Sequence, residues 1–156
     1  MQDKETLNPE QFTDPSSIPE GGRIVALDIG TKWIGVAVSD ELQTIATPFR
    51  TIARRSWKKT LAEVLDILTE FDAAGLVIGL PLNSDGSESE MSAEARRLAR
   101  NFSLSAKLPV VLQDERTTSY EARGRLWDRG VTLSDTRSMV DSEAAAIILS
   151  DLLARR

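Results

Sequence analysis

The apolar positions change period several times along the chain. Residues 1–22 (MQDKETLNPEQFTDPSSIPEGG) have no apolar period and are rich in proline, serine and glycine. That pattern predicts a disordered extension, with order beginning at Arg23 and one domain over 23–156. Arg23–Asp28 (RIVALD) is a short apolar run that ends on an acid, and Ile29-Gly30-Thr31 reads as a turn. Trp33–Ser39 (WIGVAVS) predicts a second strand and Thr44–Ala53 a third, joined as hairpins. From Ser56 the period lengthens. Leu61, Val64, Leu65 and Leu68 fall at i, i+3, i+4 and i+7, the stripe of an amphipathic helix. Gly75–Gly79 (GLVIG) is apolar throughout, as in a buried parallel strand. After a polar loop over 80–88, Met91, Ala95, Leu98 and Phe102 mark a second helix, with Ser87-x-x-Glu90 as its capping box. Pro109–Gln113 (PVVLQ) predicts a fifth strand. Thr118-x-x-Glu121 opens a helix to about Arg129, and a last helix is expected from Ser138 to Ala154. The order β-β-β-α-β-α-β-α implies an α/β domain with a five-stranded mixed sheet, its first three strands antiparallel, and helices on both faces.

Composition narrows the chemistry. The 156 residues include no cysteine and no histidine. Disulfides, thiolate nucleophiles, cysteine or histidine metal sites and a Ser-His-Asp triad are therefore excluded. What remains is carboxylates, hydroxyls, lysines, arginines, or a hard cation held by oxygens. The net charge of −5 is uneven: residues 1–22 carry five acids and one base, so the other residues are close to neutral. The low overall pI is thus a weak argument against a nucleic-acid partner. The longest apolar stretch, 73–82, is far too short to span a membrane, and the N-terminus does not resemble a signal peptide. The expectation is a cytoplasmic protein without a membrane partner.

Three acids stand out by position. Asp28 ends the first strand and Glu115 follows the fifth, so both would lie beyond strand carboxyl ends if the two strands are parallel neighbours. Asp141 shares a helix face with Ala145, Ile148 and Leu152, at i+4, i+7 and i+11. Its carboxylate then points with the buried stripe toward the sheet, where an unpaired charge is costly. The run Ala144-Ala145-Ala146 would let that helix approach closely. Three converging oxygen donors without histidine suit Mg²⁺ or Mn²⁺ and phosphoryl chemistry. Each acid also has a plainer explanation. Asp28 fits a turn, Glu115 a solvated position ahead of a helix, and Asp141 a first-turn cap after Ser138.

Asn83, Asp85 and Gly86 form a loop after the fourth strand, either an ordinary turn or a contact to a substrate backbone. Bases cluster at Arg50, Arg54, Arg55, Lys58 and Lys59, at Arg96, Arg97 and Arg100, and at Arg123, Arg125 and Arg129. Arg125 and Arg129, at i and i+4, form one stripe suited to phosphates. They could equally pair with Glu121 and Asp128 on a solvated face.

Four segments in order, LDIGTKWIGVAVSD (27–40), GLPLNSDG (79–86), DERTTS (114–119) and VDSEAAAIIL (140–149), together resemble the YqgF family, also called RuvX. These are small bacterial proteins of RNase H-like fold, described as Holliday junction resolvases or pre-16S ribosomal RNA nucleases. The resemblance spans about residues 23–153. It implies an RNase H-like domain in which Asp28, Glu115 and Asp141 are the catalytic, metal-binding acids, holding Mg²⁺ or Mn²⁺. It also implies that Lys32, Asn83, Asp85, Arg116 and Thr118 lie near the substrate. Thr117 occupies a slot that the family usually fills with an apolar residue. The implied activity is hydrolysis of phosphodiester bonds in structured nucleic acid: the 5′ end of pre-16S rRNA, or a Holliday junction. A non-catalytic module for RNA, ribosomal or transcription components is the alternative of another class. The oligomeric state stays open between monomer and weak dimer. The block 27–40 is also similar to the first phosphate loop of actin-like ATPases and sugar kinases, but these need two such domains, more than 156 residues supply.

Overall fold

The structure is a computed structural model that describes residues 12–115 and 133–156, with side chains of the last segment from Asp141 onward. Five strands form one sheet: β1 (Ile24–Ile29), β2 (Trp33–Ser39), β3 (Ala46–Ala53), β4 (Gly75–Leu80) and β5 (Val110–Asp114). Their order across the sheet is β3-β2-β1-β4-β5. The β1–β2 and β2–β3 pairs are antiparallel, while β1–β4 and β4–β5 are parallel. The antiparallel half follows from the short turns, and the parallel half from the helical crossovers α1 (Trp57–Glu70) and α2 (Glu90–Ala106). The edge strand β3 carries Pro48, a residue that sheets admit at their edges.

Alternation sorts side chains between two cores. Val25, Leu27, Ile34, Val36, Leu76, Ile78, Val110 and Leu112 pack with Val64 and Ile67 of α1 and Leu98 and Phe102 of α2. Ile24, Ala26, Ala37, Val77 and Val111 face the other way, against Ala145, Ile148, Leu149 and Leu152 of α3 (Leu133–Arg155). By the same parity Asp28, Gly35, Gly79 and Gln113 belong to the α3 face. α1 and α2 thus cover one side of the sheet and α3 the other.

Several boundaries differ from the pattern. α3 begins at Leu133 rather than Ser138. The capping box of α2 is Ser89 with Ser92, two residues beyond the expected Ser87–Glu90 pair. Ser87 is instead engaged by the Asp85 carboxylate through its backbone N–H (2.9 Å) and its hydroxyl (2.6 Å). The helix expected between Thr118 and Arg129 lies outside the described residues.

The larger correction concerns residues 12–22, which lie along the domain rather than forming a disordered extension. Ile18 is only 1% exposed, and its side chain sits over Gly75, where a Cβ would meet it at 2.7 Å. The Leu112 backbone N–H donates to the Phe12 carbonyl (2.6 Å), extending the β5 edge. Gln43 donates to the carbonyls of Pro19, Gly21 and Gly22, and Arg156 to that of Ile18 (2.8 Å). Two apolar anchors six residues apart establish no period, so polarity hid a segment tied mainly through its backbone.

Candidate active site

The sheet brings Asp28 and Glu115 together by an indirect route. β1 and β5 are not neighbours, because β4 runs between them. The register Leu27↔Ile78 places Gly79 beside Asp28, and Gly79 pairs with Gln113. With no side chain at Gly79, the Glu115 carboxyl lies over β4: a Cβ there would strike Glu115 Oε2 and the Ile148 methyl. Glu115 is held at the end of β5 by its backbone N–H, which donates to the Leu80 carbonyl (3.2 Å). It reaches across to form a side-chain hydrogen bond with Asp28.

Both residues are half-buried, open to solvent at the carboxyl end of the sheet while the carboxyl groups themselves are recessed. Burial raises the affinity of both for a proton. For Glu115 the negative charge of Asp28, the hydrogen bond to it and the nearby charge of Asp114 add to dehydration, pushing it up to about 10. In Asp28 the hydrogen bond from Glu115 works against dehydration. Glu115 therefore holds the proton and donates it to Asp28, and the two titrate as a unit. Among the described residues no lysine or arginine contributes to either shift.

Asp141 enters from α3. Its main-chain carbonyl packs on Gly35, where any Cβ would collide with it. Gly35 is the register partner of Asp28 on β2. Ala145, Ile148 and Leu152, the other members of the stripe expected from the sequence, are all fully buried on the sheet, and Asp141 itself is half-buried. The close approach is thus made by a glycine on the strand together with alanines on the helix. Among the described residues no three ligating side chains already stand gathered as a metal cluster. Two carboxyls are joined, and Asp141 stands beside them through its backbone.

The remaining candidates fall around this end of the sheet or outside the described residues. Lys32 is exposed in the β1–β2 turn, and its carbonyl accepts from the Arg54 backbone N–H (2.8 Å). Asn83 and Asp85 are exposed in the loop after β4, where the Asn83 side chain donates to Ser87 Oγ and the Glu88 carbonyl (both 3.0 Å). Arg116, Thr118, Arg125 and Arg129 lie outside the described residues. The second basic cluster is largely committed to ion pairs. Arg96 is 7% exposed and paired with Glu88, and Arg97 pairs with Glu94 at 2.6 Å. Gly35 and Gly79 are the positions that pattern reading missed. An isolated glycine inside a strand is itself a signal of close approach by backbone or ligand.

A mixed sheet in this order, with a buried acid pair at its carboxyl end under one long helix, defines an RNase H-like α/β domain. A family model described as "RuvX: Holliday junction resolvase" matches residues 22–155. The chain belongs to the RuvX family. A protein of Rhodobacter capsulatus named "Putative pre-16S rRNA nuclease" is 39% identical over 140 residues, covering 90% of this chain and 88% of its own. One of the same name from Anaeromyxobacter dehalogenans is 40% identical over 134 residues, covering 86% and 98%. Among solved structures, T. thermophilus RuvC in complex with Holliday junction substrate superposes with a TM-score of 0.51 at 16% identity, covering 86% of this chain and 95% of that one. At that identity the likeness concerns the fold.

Proposed function

We propose that this chain is a metal-dependent endonuclease acting on structured nucleic acid, with the 5′ end of pre-16S rRNA as its substrate in the cytoplasm. The observation that carries this reading is the Asp28–Glu115 pair, two recessed carboxyls in hydrogen-bond contact with no basic side chain among the described residues stabilising either. Such a pair must share a proton or bind a cation, because two bare charges there are prohibitively costly. An all-oxygen donor set fits a hard divalent ion, Mg²⁺ or Mn²⁺. Asp28 and Glu115 would hold it, with Asp141 as the third acid. A bound ion supplies Lewis-acid polarisation of the phosphate and a more acidic water.

The chain's own residues set the conditions for that chemistry. Ile148 closes the inner side of the pair, so a phosphate approaches from the open end of the sheet. Gly79 and Gly35 keep the spacing between Glu115, Asp28 and Asp141 by admitting a carboxyl and a helix backbone where side chains would stand. With no histidine in the chain, proton movement at the site falls to the carboxyls, and Glu115 is the member that carries the proton in the absence of a cation. Lys32 and the 83–88 loop flank the same end and would meet the phosphate backbone. The names of the 39–40% identical relatives support RNA over DNA.

The test is a cleavage assay with Mg²⁺ or Mn²⁺ on three substrates: precursor 16S rRNA, a four-way DNA junction and linear duplex DNA. The reading expects cleavage of the precursor near its 5′ mature end and little on linear duplex. Preferential cutting of the junction would assign the chain to recombination instead. No metal-dependent cleavage of any of them would leave a binding module.

A further inference from the structure

On the α1/α2 side of the sheet, opposite the acids but at the same end, a cleft of about 150 Å³ opens between the start of α1 and the middle of α2. Its floor is apolar, with Ile34 and Phe102 fully buried. Trp57 forms a wall. It is 37% exposed, and its ring rests on Phe102 at 5.0 Å between centroids. Three guanidinium groups, of Arg54, Arg55 and Arg97, complete the lining. Glu94 pairs with two of them, Arg54 and Arg97. Arg54 also donates to the Gly30 carbonyl (3.2 Å). The Arg55 guanidinium makes no ion pair or hydrogen bond with the described residues, and Lys58 and Lys59 stand exposed beside it.

The cleft therefore offers a ring-sized apolar slot, an aromatic face and a net positive rim. A cavity of about 150 Å³ accepts a six-membered ring. A ring that also carries negative charge is the chemistry of a nucleoside phosphate. Arg54 ties the rim to Gly30, two residues beyond Asp28, so the cleft and the acids share the β1–β2 turn. They lie on opposite faces at the same end of one sheet, so a strand of a few nucleotides rounding that end could reach both. Stacking on an aromatic side chain with arginine beside it is a general way to hold unpaired bases.

We propose that this cleft binds an unpaired nucleotide of the substrate strand, its base against Trp57 and its phosphate on Arg55, a few nucleotides from the phosphate at the acids. The proposal rests on the nuclease reading for its ligand, but it is tested without turnover. Full-length protein is titrated in EDTA with a single-stranded uridine oligomer, a fully paired RNA hairpin of equal length, and free uridine monophosphate. Trp57→Ala should weaken binding of the single strand about five- to a hundred-fold and leave the hairpin within about two-fold. Trp57→Phe should restore most of the loss. Arg55→Ala, which breaks no described contact, should lower the salt slope for the single strand by about 0.7. The proposal fails if Trp57→Ala and Arg55→Ala bind the single strand as wild type does. It fails also if both substrates weaken equally without rescue by phenylalanine, which marks a folding defect. It fails if free uridine monophosphate binds as tightly as the oligomer, which marks a separate nucleotide site. Since no cleavage is read, an inactive enzyme with an intact single-strand preference refutes the nuclease reading and not the cleft, and the reverse pattern separates them the other way.

Discussion

Replacing Glu115 by glutamine should remove a fall of stability with rising pH from the metal-free protein. The unfolded chain ionises this carboxyl near its ordinary value of 4.5, while the folded chain holds the proton up to about 10. Between those limits the native state binds more protons than the unfolded state, so stability falls as pH rises. It is fully present below 4.5 and is lost progressively toward the upper limit. One proton sets a ceiling of about 1.36 kcal/mol per pH unit, hence ~2.7 kcal/mol between pH 6 and 8. Glu115 is not fully enclosed, and water screening reduces this to about 1–2 kcal/mol. In a domain of this size that is a Tm difference of roughly 3–8 °C. The variant keeps a side chain of the same size and a donor for Asp28, but has no proton to lose. The assay is thermal or urea unfolding in EDTA at pH 6, 7 and 8, comparing the two slopes so that other titrating groups cancel. The wild type should lose stability relative to Glu115→Gln as pH rises, and added Mg²⁺ should recover it in the wild type alone. Parallel pH profiles for the two proteins would refute the shared-proton description of the pair.

Three further outcomes follow from the packing. Gly35→Ala forces a Cβ into the Asp141 carbonyl, so it should cost about 1–3 kcal/mol in urea unfolding and reduce cleavage more than that loss of folded protein explains. Ile18→Ala should cost about 2–4 kcal/mol, and deletion of residues 12–22 at least as much. Full stability of the truncated chain would return that segment to the role of a dispensable tail.

How much of this was legible depends on whether a residue's role is set by its own stripe or by what crosses it. The strands and the first two helices follow from local period, because each buries a face of its own. The buried face of α3 was legible for the same reason: Ala145, Ile148 and Leu152 lie on the sheet, and the Asp141 backbone packs on Gly35. The route from Glu115 to Asp28 was not, since it depends on β4 lying between their strands and on Gly79 having no side chain. Strand order is a long-range property that no local pattern records. The anchoring of residues 12–22 is hidden likewise, because carbonyl acceptors such as those of Phe12 and Gly22 leave no mark on side-chain polarity. The basic clusters were visible as charge. Their division into the paired Arg96 and Arg97 and Arg55, which has no ion pair among the described residues, needed the positions of Glu88 and Glu94.

The most direct test of the central claim is single-turnover cleavage of precursor 16S rRNA by wild type and Asp28→Asn at saturating Mg²⁺, with folding of both checked by circular dichroism. The substitution removes one charge from the recessed pair and keeps its size, so the fold should persist. Cleavage by the wild type should depend on the metal, and the variant should lose at least about a hundred-fold in rate, the ~2.7 kcal/mol or more that a group stabilising charge at the reaction centre supplies. A folded Asp28→Asn protein that cuts at the wild-type rate would contradict the assignment of the reaction to these carboxylates.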